Sequence, residues 1–241
     1  MIGVERHHKG QIKMIVVNGK PISLNGKFFE YKNEEPTPPY PTDYQYLKFN
    51  YSNDNIKGNI INAINSKNFS AEEDGDTIIC KIPNSTNYVS FGNSINANGT
   101  YGCVDWYLPY VTNTTALFEW TPLTSIPDNF WGLSATKNLG RGFNCLWTQG
   151  GNLSEVKSFD GLVNLENFEY AFYENHIPIT FPTTFAPDTF SKATRFYGCF
   201  KDVTATNNMV PFATQCTAAT NKNTMIRDCP DLVEFKALGW N

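Results

Sequence analysis

Asn129–Asn144, NFWGLSATKNLGRGFN, and Ser158–Tyr173, SFDGLVNLENFEYAFY, align without a gap. Phe130 falls on Phe159, Gly132 on Gly161, Leu133 on Leu162 and Phe143 on Phe172, a recurrence of 29 residues (130 to 159, 143 to 172). Downstream, PDTFSKATRFYGCFKD brings Phe200 into the same phase 28 residues after Phe172, and its PDTF echoes the PDNF that begins at Pro127. MIRDCPDLVEF then returns Cys229, 29 residues after Phe200. Apolar residues at a fixed phase of a long period are what a stacked solenoid requires, because each unit leaves apolar faces that only its neighbours can bury. The predicted repeat core is Phe130, Leu133, Phe143, Phe159, Leu162, Phe172 and Phe200.

Outward from the repeat, composition argues for a β-rich chain. Of 241 residues, 41% are hydrophobic and only 17% charged. Asn, Thr and Ser carry the polar balance, and these residues favour turns over helix interiors. Between residues 44 and 110, YLKFNYS, DTIICKI, NYVSFG and CVDWYLPYV read as strands separated by Asn/Gly/Ser turns. IKGNIINAIN fits either a strand or a short helix.

The first 32 residues have a different texture. VNGKPISLNGKFF, Val17–Phe29, contains Asn-Gly twice between short apolar runs. Asn-Gly suits the two-residue turn whose central residues both need positive φ, so IKMIVV, KPISL and KFFEY read as a three-stranded meander, with residues 1–13 as an arm. A meander this small has open edges and needs another surface to be stable. It is therefore expected to anchor the chain through Val17, Asn18, Gly19, Ile22, Leu24, Asn25, Gly26, Phe28 and Phe29. NEEPTPPYPT follows, and its prolines make residues 33–43 a semi-rigid linker. The expected organisation is an arm and meander over 1–32, the linker, a β-rich segment over 44–110 and the repeat region over 111–241.

The repeat carries a family likeness. FDGLVNLENFEYAFYENHI and RFYGCFKDV resemble the degenerate leucine-rich repeats of BspA-like surface proteins, across about Leu123 to Leu238. The resemblance implies an irregular leucine-rich-repeat-like solenoid of about 29-residue units and a non-enzymatic binding role. MIVVNGKPISLNGKFFEY with its Pro-rich spacer is similar to the anchoring end of fibre or decoration proteins from tailed phages of gut Bacteroidales, including crAss-like phages. That likeness implies a virion structural protein, assembled in the host cytoplasm and attached to other virion proteins by its N-terminus. It further implies a homo-oligomer whose distal domain faces a host-surface glycan or protein. A bacterial cell-surface adhesin and a polysaccharide-degrading appendage are the other readings.

The residues support little catalytic chemistry. The net charge is −4 and no Lys/Arg block marks a nucleic-acid site. No apolar run reaches the roughly 20 residues of a membrane span. Residues 1–20 lack the apolar centre of a signal peptide, which points away from that export route or to a chain trimmed at its start. The six cysteines lack CxxC spacing, so buried thiols are expected rather than disulfides or zinc. His176 with Cys199 is a conceivable base–nucleophile dyad, but no nucleophile motif surrounds it. Asp105, Glu119, Asp128, Asp160, Glu166, Glu169 and Glu174 offer carboxylates without a readable separation. No cofactor or metal motif is present. Trp131 and Trp147 lie beside repeat-core phenylalanines and are expected in the core, with Trp147 the first choice for an exposed, ligand-stacking tryptophan. Trp147 and His176 are the candidate surface-binding residues.

Overall fold

The computed structural model describes the backbone of residues 2–6, 12–17 and 20–21, and residues 40–96, 98–146 and 150–241 in full. The chain divides into two compact units, Met1–Tyr40 and Pro41–Asn241, and the division falls inside the Pro-rich segment.

In the first unit, β1 (Ile2–Arg6), β2 (Ile12–Val17) and β3 (Lys20–Pro21) form an antiparallel sheet in that order. β1 lies in the stretch read from sequence as an arm. It pairs Ile2 with Val17 and Val4 with Ile15, matching one β-branched run to another. Val17 pairs with Lys20, the register that a two-residue connection gives. The other anchoring residues, from Asn18 to Phe29, lie outside the described residues, as do both Asn-Gly pairs and the expected strand at 27–31.

The second unit is mainly β with short helices. β4 (Tyr44–Tyr51), β5 (Ser70–Asp74), β6 (Thr77–Pro83), β7 (Tyr101–Tyr107) and β8 (Leu123–Ser125) form a mixed sheet in the order β5-β6-β4-β7-β8. Only the β7–β8 pair is parallel. The alternation of the sequence decides the faces, with Gln45, Leu47 and Phe49 of β4 and Ile78, Cys80 and Ile82 of β6 all inward. IKGNIINAIN resolves as helix α1 (Asp54–Ser66). Asn53 caps it, its side-chain oxygen accepting from Ile56 N at 3.0 Å, and Ile56, Ile60, Ala63 and Ile64 make one buried stripe.

NYVSFG, expected as a strand, is not one. It makes a single parallel bridge, Tyr88 to Asn113, and that bridge begins a series: Asn113–Asn138, Asn138–Asn167, Asn167–Arg195 and Arg195–Asn221. Successive chain turns therefore stack in parallel, held by hydrogen bonds from alternate residues. Thr114, Ala116, Phe118 and Trp120 donate to the carbonyls of Asn138, Gly140, Gly142 and Asn144. Leu139, Arg141, Phe143 and Cys145 donate to Asn167, Glu169, Ala171 and Tyr173, and Phe168, Tyr170, Phe172 and Glu174 to Arg195, Tyr197, Cys199 and Lys201. All twelve bonds measure 2.8 to 3.0 Å. A bend follows each pair of donors, so these segments form rungs rather than extended strands.

All seven residues of the predicted repeat core are fully buried. Their rings stack along the series: Phe143 on Phe172 at 5.1 Å and 20°, Phe172 on Phe200 at 6.1 Å and 20°, and Phe130 beside Phe159 at 6.0 Å. Phe118 of the preceding turn meets both Phe143 and Phe49, so the β-sheet core runs into the stack without a break. At the other end, helices α2 (Val210–Gln215) and α3 (Leu232–Ala237) close the core, with Trp240 buried between Phe196, Phe212 and Phe235.

Candidate recognition face

Within a rung, the backbone dictates which side chains reach solvent. Aligned on the bridging residues, three successive rungs are Asn113–Trp120, Asn138–Cys145 and Asn167–Glu174, and a fourth runs from Arg195 to Asp202. The second and sixth positions point inward: Thr114, Leu139, Phe168 and Phe196, then Phe118, Phe143, Phe172 and Phe200 are all buried. The fourth and eighth positions bend the rung, with positive φ at Ala116 and Trp120, Arg141 and Cys145, Tyr170 and Glu174, and Gly198 and Asp202. The first position is Asn in most rungs because its side chain braces the bend. Asn113, Asn138 and Asn167 each accept, through Oδ1, from the backbone N–H two residues on.

At the third, fourth, seventh and eighth positions the last two rungs leave Glu169, Tyr170, Tyr173, Glu174, Tyr197, Lys201 and Asp202 partly exposed, whereas Glu119, Asn144 and Cys145 at the same positions of the earlier rungs are buried, and across neighbouring rungs these side chains touch. Tyr170 lies 5.3 Å from Tyr197 at 82° and 5.5 Å from Tyr173 at 74°. Gly198 makes this possible, because a Cβ there would stand 2.7 Å from the Tyr170 ring. Lys201 sits 4.8 Å over the Tyr173 ring, and Tyr173 Oη donates to the Glu174 carboxylate. Arg195 donates from Nε and Nη2 to both oxygens of Glu169, at 3.1 and 2.6 Å. Arg141 pairs with Glu119 at 2.5 Å, and Asn144 Nδ2 donates to the same carboxylate at 2.9 Å. The hydrogen bond to Glu174, then burial, raises the affinity of Tyr173 for its proton. Desolvation, then the bond to Tyr197, does the same for Tyr170. Both phenols are neutral at physiological pH and remain hydrogen-bond donors.

His176 is exposed next to this face. Its neighbour Asn175 is buried and braces two rungs, donating to the carbonyls of Phe143 and Phe172 and accepting from Leu146 N. Trp147 lies outside the described residues. Trp131, expected in the core, is 39% exposed, because Phe130 takes the inward phase and the short 3-10 turn at Trp131–Leu133 swings the next side chain out. Among the described residues the buried tryptophans are Trp106, whose Nε1 donates to Asn129 O at 3.0 Å, and Trp240.

All six cysteines are buried thiols. Burial in apolar surroundings pushes the Cys199 thiol well above its ordinary range, so it holds its proton and is a poor nucleophile for the dyad considered from sequence. Cys145 is pushed up to about 12 by desolvation, aided by its hydrogen bond to Glu174. Among the described residues no cluster of His, Cys, Asp and Glu is arranged to hold a metal ion, and no helix is long and apolar enough to cross a membrane.

Sequence reasoning missed Tyr170, Tyr173, Tyr197 and Arg141 because it followed the apolar phase of the repeat and stopped there. Extending the same period to the positions either side of each core phenylalanine places them in one column set. Against known proteins, no family model, curated protein or solved structure matches this chain.

Proposed function

We propose that this chain is a non-enzymatic attachment protein of a phage virion, anchored by its first unit and presenting the stacked unit for host-surface contact. The observation that carries the reading is the face built by Tyr170, Tyr173 and Tyr197, whose rings are fixed by hydrogen-bonded rungs beneath them. A rigid aromatic face on a scaffold limits the entropy lost on binding, which suits recognition. The division of the chain after Tyr40, within the Pro-rich segment, favours separate docking and contact roles. The parallel bridges and the stacked phenylalanines favour reading the second half as an irregular leucine-rich-repeat-like solenoid. Its first turn then starts near Tyr88. We further propose that copies associate through the N-terminal sheet, in which β1 and β3 are the outer strands among the described residues.

Deleting residues 1–32 tests the anchor. The truncated chain is expected to bind cells of the host but to be left out of assembled particles. Incorporation equal to the full chain overturns it.

A further inference from the structure

We infer that the Tyr170–Tyr173–Tyr197 face binds a neutral oligosaccharide. The inference rests on the attachment reading above and specifies its ligand.

Two properties of the face select the ligand class. The first is ring geometry. Tyr170 meets Tyr173 and Tyr197 nearly edge-on, at 74° and 82°, so the three rings lie in different planes and offer both faces and edges. A pyranose presents an apolar C–H side and a rim of hydroxyls, and a tyrosine answers both with its ring and its O–H. Because Gly198 lets the Tyr170 ring settle on the next rung, the arrangement exists before any ligand arrives.

The second property is charge. Every cation of the face is already engaged. Arg141 is on Glu119, Arg195 is on Glu169 through two bonds, and Lys201 is over Tyr173. A sulfated or uronic-acid polymer needs unpaired cations, and the carboxylates of Glu174 and Asp202 near Lys201 oppose it as well. A neutral sugar meets no such penalty. It needs hydrogen-bond capacity beyond the internal pairs, and that is present: a guanidinium has five N–H donors and a carboxylate about four acceptor sites. From Arg141 to Lys201 the face crosses three rungs, about 10 Å at the usual ~4.8 Å strand spacing, which is enough for about two sugar units.

The test applies the full-length protein to an array holding neutral, sulfated and uronic-acid glycans, with hexalysine as a cationic probe. Neutral glycans are expected to be retained preferentially. The double variant Tyr170→Ala/Tyr197→Ala should bind them at least tenfold more weakly, while Tyr170→Phe/Tyr197→Phe keeps most of the affinity. Thermal melts of both variants check that the fold survives; if the alanine pair unfolds, the single variant Tyr197→Ala carries the test, with binding at least threefold weaker expected and undiminished binding overturning the inference. Retention of no neutral glycan, preference for acidic glycans or hexalysine, or undiminished binding by a folded alanine variant each overturns the inference. Adhesion of the wild-type chain to host cells is measured in parallel. Adhesion without neutral-glycan binding sinks the inference and leaves attachment standing; glycan binding without adhesion does the reverse.

Discussion

The ring of Phe143 lies on that of Phe172, centroids 5.1 Å apart and planes at 20°, although they belong to different turns of the chain. Phe172 is itself stacked on Phe200 and touches Phe181 and Phe159, so it is shared by more of the core than either neighbour in its column. Removing it leaves a cavity that the hydrogen-bonded rungs above and below cannot close. Phe172→Ala is expected to cost about 5 kcal/mol, the high end for a buried aromatic. Equilibrium denaturation in guanidinium checks this, with Phe172→Leu expected to lose less.

Two glycines should respond oppositely to the same added methyl. A Cβ on Gly132 would stand 1.9 Å from the carbonyl oxygen of Trp106, a backbone atom with nowhere to go. Gly132→Ala should therefore destabilise by the upper end of the roughly 1–3 kcal/mol of overpacking, or more. Gly58 sits inside α1 with nothing within 4 Å of its would-be Cβ. Gly58→Ala should stabilise by roughly 0.5–1 kcal/mol through helix propensity. Thermal melts of the two variants give the signs directly.

The Arg141–Glu119 pair should be worth more than the Lys137–Glu166 pair. The Glu119 side chain is 7% exposed, and losing Arg141 leaves its charge with Asn144 alone. Arg141→Ala is expected to cost about 1.5–3 kcal/mol, the range for a charge-assisted bond to a buried group. Lys137 and Glu166 are both more than half exposed and 3.3 Å apart, so Lys137→Ala should cost at most about 0.5 kcal/mol. Denaturation curves at low and high salt separate the two, since only the exposed pair is readily screened.

Alkali should weaken the fold through its thiols. Desolvation pushes Cys145 and Cys229 up to about 12 and the thiols of Cys80, Cys103, Cys199 and Cys216 upward as well. An unfolded cysteine loses its proton near pH 8.5. Above that pH the unfolded chain holds fewer protons than the folded one, so stability is fully present below about pH 8.5 and falls as pH rises toward 12. Unfolding midpoints between pH 7 and 10.5 under reducing conditions should decline over the alkaline half only. In the same vein, a thiol reagent at pH 8 should label the native protein slowly and six thiols per chain once it is denatured.

What the sequence made legible was whatever the apolar phase controls. Phe130, Phe143, Phe159, Phe172 and Phe200 are buried because their recurring phase sets them on the axis, where each meets a ring of a neighbouring turn. The start of the stack was not legible. Val89 and Phe91 alternate with polar neighbours as in a strand, yet their N–H groups bond to Asn113 and Leu117 of the next turn. Periodicity records which side a residue faces, not where its hydrogen bonds go. The Asn column at 113, 138 and 167 was visible in the letters but lost among many other asparagines. The Tyr face was hidden for a different reason: Tyr170 and Tyr197 become neighbours only once the rungs are stacked.

The bends of the rungs have a consequence for redesign. Arg141, Cys145, Tyr170 and Glu174 all hold φ between 52° and 58°, a conformation that costs a residue with a side chain on the order of 1 kcal/mol. A search for thermal hardiness alone would write glycine at the partly exposed corners Tyr170 and Glu174, but not at Arg141, whose pair with Glu119 outweighs the strain, nor at the buried Cys145. The result would be a tougher molecule with a blank exterior, so mutational tolerance measured by folding and by adhesion should disagree most sharply there.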